Sequence, residues 1–287
     1  MPKLHIIAPG LHTTLQDLGR IGYQDKGVPV GGALDLSSAT LANQLVGNSV
    51  ETPVLEMTIK GPVIQVEGSV QVALTGADLS PTFDGMPLPM YENVRLPDGG
   101  VLRFGRLQSG CRAYLAVRGQ WQAKAWLGSV SPPAHEAKLL TPDSVLRKGR
   151  VLEILPAGFL PKRFYPTYAR PDYQTLLPLR VLPGPEYNKF DRSFLQWFFG
   201  HPHRISPDSN RMGYRLERAG PALHWAAEMI SSAVLPGTIQ VTGGGKVMIL
   251  MADAQTTGGY PRLGVLPGRE LARLAQWRPG LAVGFTK

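Results

Sequence analysis

The chain has 287 residues, is 43% hydrophobic and carries a formal net charge of +9, a length that suits two modest domains or one large one. No apolar run reaches the roughly 18 residues of a membrane span. The start MPKLHIIAPG lacks the apolar core of a secretion signal, and the lone Cys111 excludes an internal disulfide, so the expected compartment is the cytoplasm. The basic residues are scattered, with no long run and no zinc-finger, helix-turn-helix or RNA-recognition signature. The charge therefore points to an anionic ligand or partner, and away from nucleic acid and membrane.

Glycine (33) and proline (26) are abundant and lie between short apolar runs, the pattern of many short strands joined by tight turns. In chain order, strands are expected at Leu4–Ile7, Val54–Ile59, Val63–Val66, Val70–Leu74, Val101–Phe104, Ala113–Val117 and Val151–Leu155. One helix interrupts them at Leu36–Val46, with Asp35 as N-cap and Gly47-Asn48 as its stop. From Pro156 to Pro178 the periodicity fails. Prolines and aromatics predict a linker over 158–178 that packs on a surface. Strands resume at Leu179–Leu182, Arg204–Ser206, Thr238–Val241, Val247–Met251 and Leu281–Phe285. Helices are expected at Arg192–Phe199 and Arg269–Gln276.

An internal repeat supports two similar domains, 1–157 and 179–287. Ile64–Asp78 (IQVEGSVQVALTGAD) and Ile239–Asp253 (IQVTGGGKVMILMAD) share seven of fifteen positions without a gap. Each reads as strand, glycine turn, strand and acidic end. A second pair, PDGGVLRF (Pro97–Phe104) and PGLAVGF (Pro279–Phe285), follows later in each half.

Polar chemistry is concentrated in four places. The first, Thr13–Asp35, holds Asp17, Arg20 and Tyr23 among glycines. It reads either as an anion-binding loop led by Arg20 or as a loop fixed by an Asp17–Arg20 pair. Ser206–Glu217 presents Asn210, Arg211 and Tyr214, and Arg211 can fork onto a carboxylate or phosphate or pair with Glu217 or Asp208. PGPEY, Pro183–Tyr187, is a third loop. The richest is the exit of strand Val247–Met251, where Asp253, Gln255, Thr256, Thr257, Tyr260 and Arg262 crowd around Gly258 and Gly259. A buried strand ending in hydrogen-bonding side chains is a rigid support for a site.

Several motifs are excluded. GGGK at Gly243–Lys246 has Gln240 and Val247 where a phosphate loop needs Gly and Ser or Thr, so it reads as a hairpin turn. His201 and His203 have no third ligand, so no metal is expected. No nucleophile elbow supports a serine hydrolase, and Ser231 and Ser232 read as packing residues. No Met-Lys-Met segment offers a lysine for covalent biotin.

Seven segments together resemble a known family: TTLQDLGRIGY (Thr13–Tyr23), GVPVGGALD (Gly27–Asp35), ALTGADL (Ala73–Leu79), RAYLAVRG (Arg112–Gly119), LPGPEY (Leu182–Tyr187), SNRMGYRLE (Ser209–Glu217) and MADAQTTGGYPR (Met251–Arg262). The resemblance is to the biotin-dependent carboxyltransferase-like family, also called allophanate hydrolase subunit 2, which includes the C-type subunit of ATP-dependent 5-oxoprolinase. It implies a mainly β chain of two tandem cyclophilin-like β-barrel domains with a few short helices. It further implies work beside A-type and B-type 5-oxoprolinase proteins, in opening the lactam of 5-oxo-L-proline to L-glutamate with ATP hydrolysis. ATP is then the cofactor at the level of the complex. Two other roles occur in the family: carboxyl transfer from carboxybiotin to urea, and antagonism of a kinase inhibitor. One segment departs from the family pattern. After Gly119 the glycine-rich loop is missing, and Val130 and Pro132 stand where Arg and Thr are usual.

These observations assign Arg211 and Arg262 to a carboxylate or phosphate and Asp253 to a general-base or orienting role. Asn210, Tyr214, Gln255, Thr256, Thr257, Tyr260 and Arg20 are assigned to binding.

Overall fold

The computed structural model describes residues 1–174, 177–223 and 229–287. The chain is mainly β, with short helices between strands. It divides into two compact units, Met1–Gly19 with Asp35–Gln174, and Arg20–Leu34 with Thr175–Lys287.

The first unit holds a seven-stranded and a five-stranded sheet. Lys3–Ala8 lies inside the larger one, third of its seven strands, between Val151–Pro156 and Val63–Glu67. Ser109–Val117 and Val70–Asp78 form the middle of the smaller one. Alternate residues of both face one core, with Leu4, Ile6 and Ile64 from the first sheet and Leu55, Leu74 and Leu115 from the second. This is the period-two burial that strand geometry imposes. Helix Leu36–Val46 begins where expected. The Asp35 carboxylate accepts from the Ser38 N–H at 3.0 Å, and Gly47 closes the helix at φ 67°, a left-handed conformation that glycine adopts without strain.

The second unit is built on a five-stranded sheet in the order Leu182–Pro183, Arg262–Val265, Thr238–Val241, Val247–Leu250 and Gly213–Arg215. One face packs Ile239, Val241, Val247 and Ile249 into the core with helix residues Phe194 and Phe198. The opposite face carries a smaller apolar cluster of Val234, Leu250 and Ala254, with Met248 against it. In both units the sheets have free edges, so hydrogen bonding does not close the expected barrels.

Two expectations about domain organisation change. Residues 20–34 belong to the second unit, although they lie inside the expected first domain. Gly31 N–H donates to Ala252 O at 2.9 Å and Leu34 enters the second core. Of the expected linker, residues 158–174 belong to the first unit, and 175–176 lie outside the described residues. The Gln71 and Asn93 side chains hold that segment. Gln71 Nε2 donates to Leu160 O and Gln71 Oε1 accepts from Leu160 N–H, both at 2.9 Å. Asn93 Oδ1 accepts from Arg163 N–H at 2.8 Å. A primary amide presents the same donor–acceptor pair as a strand edge, so it can bind passing backbone in this way.

The two repeat copies also differ. Thr238–Val241 and Val247–Leu250 pair directly as a hairpin, with Ile239 opposite Ile249. Val63–Glu67 and Val70–Asp78 instead enter different sheets. Gln65 is exposed, whereas its counterpart Gln240 is 1% exposed.

Candidate functional site

In the second unit, Met251 N–H donates to Met212 O and Asp253 N–H to Arg211 O, each at 3.0 Å. These bonds hold the Ser206–Glu217 loop beside the exit of the Val247–Leu250 strand. The arrangement brings Arg211 and Asp253 together. Arg211 Nε donates to Asp253 Oδ2 at 2.8 Å and Nη2 to Oδ1 at 2.9 Å. Nη2 also reaches Gly32 O at 2.6 Å. The pair is largely buried, with side-chain exposures of 11% and 9%. Arg211 thus pairs with Asp253, and the expected alternatives Glu217 and Asp208 are not its partners here.

Arg262 is the second fork. A bulge between Ile239 and Gln240 sets Arg262 opposite Gln240, and bulges commonly re-aim a side chain in this way. Its Nε donates to Glu186 Oε2 at 2.9 Å and its Nη2 to Oε1 at 2.6 Å. The Arg262 backbone N–H adds a bond to Oε2 at 3.0 Å. These bonds hold the Glu186 carboxyl below its usual range, and Glu186 in turn raises the guanidinium. Glu186 was not among the expected site residues. Its signal was the PGPEY loop, an acidic residue between two turn prolines and an aromatic.

The other expected binding residues separate. Tyr214 is a core residue, 2% exposed, and its hydroxyl donates to Trp277 O at 3.2 Å. Asn210 is exposed and its Oδ1 caps the turn by accepting from Met212 N–H at 2.8 Å. Gln255 and Thr257 are exposed and Thr256 half-buried. Thr257 and Gly258 pair with Ala233 and Ser232 in a two-residue ladder. Arg20 is buried at 2% exposure, and its N–H donates to Val30 O at 2.7 Å. In the first unit, Asp17 accepts from Gly19 N–H, Ser129 Oγ, Val130 N–H and Ser131 Oγ at 2.6–2.8 Å. These donors fill the carboxylate.

Tyr260, 49% exposed, lines a cavity of about 380 Å³ with Met248, Arg215, Lys246, Asp208 and Glu217. The cavity lies beside the core residues Leu216 and Val247 and reaches, at Met248, the sheet face away from the core. Residues directly opposite on antiparallel strands share a face, so Arg215, Met248, Gln240 and Arg262 form one row across it. Neither Arg215 nor Lys246 makes an ion pair among the described residues. The GGGK segment that supplies Lys246 is a hairpin turn as expected, with Gly245 N–H bonded to Thr242 O at 2.9 Å.

A polar cluster in the first unit escaped the sequence reading. Asp35, Ser38, Glu56, Thr75, Arg112 and Tyr114 are all buried. The Tyr114 hydroxyl donates to Glu56 at 2.9 Å and accepts from Asp35 N–H at 2.8 Å. Thr75 Oγ1 donates to Ser38 O at 2.7 Å. Burial pushes the Tyr91 hydroxyl up to about 12 and raises Tyr173 and Tyr114 as well, so all three are neutral donors at physiological pH. The available signal was Glu56, a carboxylate between Leu55 and Met57 in an apolar strand.

Among the described residues no group of His, Cys, Asp and Glu is placed to hold a metal ion, and no helix is long and apolar enough to cross a membrane. His203 is buried within an aromatic stack, with Phe198 at 5.5 Å and Phe285 at 5.9 Å between ring centroids. Burial lowers its pKa below the ordinary 6.5.

Comparison with known proteins agrees with this architecture. The family model "Carboxyltransferase domain, subdomain A and B" matches residues 26–287. The chain is 36% identical over 287 residues to the C-type subunit of 5-oxoprolinase from Escherichia coli K12, covering 99% of this chain and 91% of that protein. The crystal structure of TTHA0988 superposes with a TM-score of 0.87 at 32% identity, over all of this chain and 56% of that one. The K. lactis urea amidolyase structure gives a TM-score of 0.91 at 29% identity, and this chain spans 18% of its length.

Proposed function

Because this chain belongs to the carboxyltransferase domain family, subdomains A and B, we propose that it is the C-type subunit of an ATP-dependent 5-oxoprolinase. The complex would work in the cytoplasm and open the lactam of 5-oxo-L-proline to L-glutamate. The observation that carries this reading is the likeness to the C-type 5-oxoprolinase protein of Escherichia coli over nearly the full length of both chains. The partners are A-type and B-type 5-oxoprolinase proteins, and ATP serves at the level of the complex.

The second unit supplies the binding chemistry. Arg215 and Lys246 are cations without an ion pair among the described residues at the cavity, suited to the carboxylate of 5-oxoproline or to a phosphate. Tyr260 offers a ring edge and a hydroxyl at the rim. Arg211 and Arg262 each already hold a carboxylate, so their role is to fix the loops that frame the cavity. Asp253, with both oxygens accepting from Arg211, is an orienting anion. Gln255, Thr256 and Thr257, on the segment that leads from Asp253 to Tyr260, are proposed to meet the substrate from the side of the Ser232–Ala233 and Thr257–Gly258 ladder. The chain is expected to act only with its partners.

The test is co-expression with the A-type and B-type proteins and an assay of ATP-dependent glutamate release from 5-oxo-L-proline. Release equal to that of the two partners without this chain overturns the reading. Similarity to urea amidolyase favours a second reading, carboxyl transfer from carboxybiotin on another chain to urea. Urea-dependent discharge of a carboxylated biotin carrier, with no glutamate release, selects it.

A further inference from the structure

Among the described residues Gln240 is the side chain that leaves two buried polar atoms without a partner, where Gln16, also buried, leaves one. Gln240 sits in the central strand Thr238–Val241, is 1% exposed, and neither Oε1 nor Nε2 has a hydrogen-bond partner among the described residues. Ser232 Oγ is also buried without a partner. The two are neighbours through Gly258. Ser232 pairs with Gly258 in the two-residue ladder, and a Cβ at Gly258 would lie 2.4 Å from Gln240 Nε2. Buried polar groups in native folds are nearly always paired, and an exception calls for a missing partner. Gln71 and Asn93 show what this chain does with structural amides, since both are bonded to backbone.

We propose that Gln240, with Ser232, reads the amide edge of the substrate. The carboxamide sets one acceptor and one donor side by side. A lactam or urea with an N–H beside its C=O presents the complementary pair, and two parallel hydrogen bonds join them. Ser232 supplies a third polar contact. In the row across the sheet, Met248 connects Gln240 to the cavity and Arg262 flanks it on the other side. The cavity cations Arg215 and Lys246 take the carboxylate while the amide end enters toward Gln240. The cover is thin: Ser232–Ala233 against Thr257–Gly258. Its neighbours Tyr260 and Ile230 are 49% and 91% exposed. Gly258 does not have a positive φ, so what calls for glycine there is the close approach of its backbone to the amide, and the substrate edge reaches Gln240 by displacing this cover.

This inference rests on the reading that an amide-bearing substrate binds this face, and the experiment separates the two. The Gln240 side-chain NH₂ signal of the ¹⁵N-labelled chain is identified by its loss in Gln240→Leu. It is then followed on addition of 5-oxo-L-proline, urea, 1-methyl-5-oxo-L-proline and tetramethylurea. The expected result is a saturable shift with 5-oxo-L-proline or urea, and at least about tenfold weaker response to the matching N-methylated compound. No response to either parent compound, or an equal response to its methylated form, overturns the inference. In the reconstituted complex, Gln240→Leu and Gly258→Ala are expected to raise KM for 5-oxoproline by roughly ten- to a hundredfold with a smaller effect on kcat. Turnover with KM unchanged in a folded Gln240→Leu variant sinks the inference and leaves the function standing. A urea response without any glutamate release sinks the 5-oxoprolinase reading and leaves the inference standing.

Discussion

The Arg211–Asp253 pair gives the sharpest test of how this site is built. Both Asp253 oxygens accept from Arg211 at 2.8 and 2.9 Å, and Arg211 also donates to Gly32 O. With side-chain exposures of 11% and 9%, truncating Arg211 takes both hydrogen bonds from a buried carboxylate, and truncating Asp253 takes the bidentate partner from a buried guanidinium. Each of Arg211→Ala and Asp253→Ala is therefore expected to cost about 3–5 kcal/mol. The double variant removes both charges of the pair together, so it is expected to cost little more than one single variant. That gives a coupling of at least about 2 kcal/mol in a double-mutant cycle. Urea unfolding followed by tryptophan fluorescence reads it, since Trp197 and Trp277 both pack in the second core. Single variants within about 0.5 kcal/mol of the parent, or additive losses, would refute the reasoning. Asp253 would then be free to act as a base.

Three further outcomes are expected. Gln240→Leu removes a buried amide that has no partner, so it should raise stability by about 1–3 kcal/mol; a loss in urea unfolding would show that the amide is satisfied in the free chain. His203, lowered by burial, is neutral in the fold, so its contribution is complete above its ordinary 6.5 and is lost as pH falls below it. Glu186, lowered by Arg262, contributes above its ordinary 4.5 and loses that contribution as pH falls further. Urea midpoints from pH 8 to 2 should thus fall in two stages, with His203→Phe flattening the first and Glu186→Gln reducing the second; one unchanged stage refutes its assignment. Gly76 has φ +78° inside the strand Val70–Asp78, and a Cβ there would lie 2.4 Å from Arg112 O. Gly76→Ala should cost at least about 2 kcal/mol, and an unfolding midpoint like the parent's would refute it.

What the sequence revealed of the fold follows from where burial leaves a period. Val54–Thr58, Val63–Glu67, Val101–Phe104 and Val247–Leu250 are runs rich in β-branched and large apolar residues, and all four are strands. Helix Leu36–Val46 showed its cap and stop in Asp35 and Gly47. His12–Gln16 was hidden because its buried positions are filled by Thr13, Thr14 and Gln16. Such residues read as loop in sequence and are tolerated inside only through hydrogen bonds such as Thr13 Oγ1 to Pro9 O at 2.7 Å. The membership of residues 20–34 in the second unit was not legible either. It depends on contacts such as Gly31 N–H to Ala252 O, more than two hundred positions away in sequence, and no local pattern records them.

The site shows the same division between local and non-local information. The sequence marked Arg211, Asp253 and Arg262 as chemically loaded, but pairing decides what they can do. Two arginines that each grip a carboxylate serve as framework in the proposed site, and the cavity cations Arg215 and Lys246 lie in segments that the sequence singled out, Ser209–Glu217 and Gly243–Lys246, without giving these two side chains a role. The repeat held the decisive comparison. Gln65 and Gln240 occupy matching places in Ile-Gln-Val triplets, and composition gives no reason to separate them. The first copy sends its strands into two sheets and leaves Gln65 in solvent; the second folds them into one hairpin and buries Gln240 under Gly258. The first copy's chain continues as Leu79-Ser80-Pro81, with no Gly-Gly to lie over an amide. Duplication thus supplied two similar strand pairs, and only the one whose exit carries Thr-Thr-Gly-Gly-Tyr encloses an amide without a protein partner. That enclosure is a cost to stability that binding can offset, which is the physical basis for proposing that Gln240 selects an amide substrate.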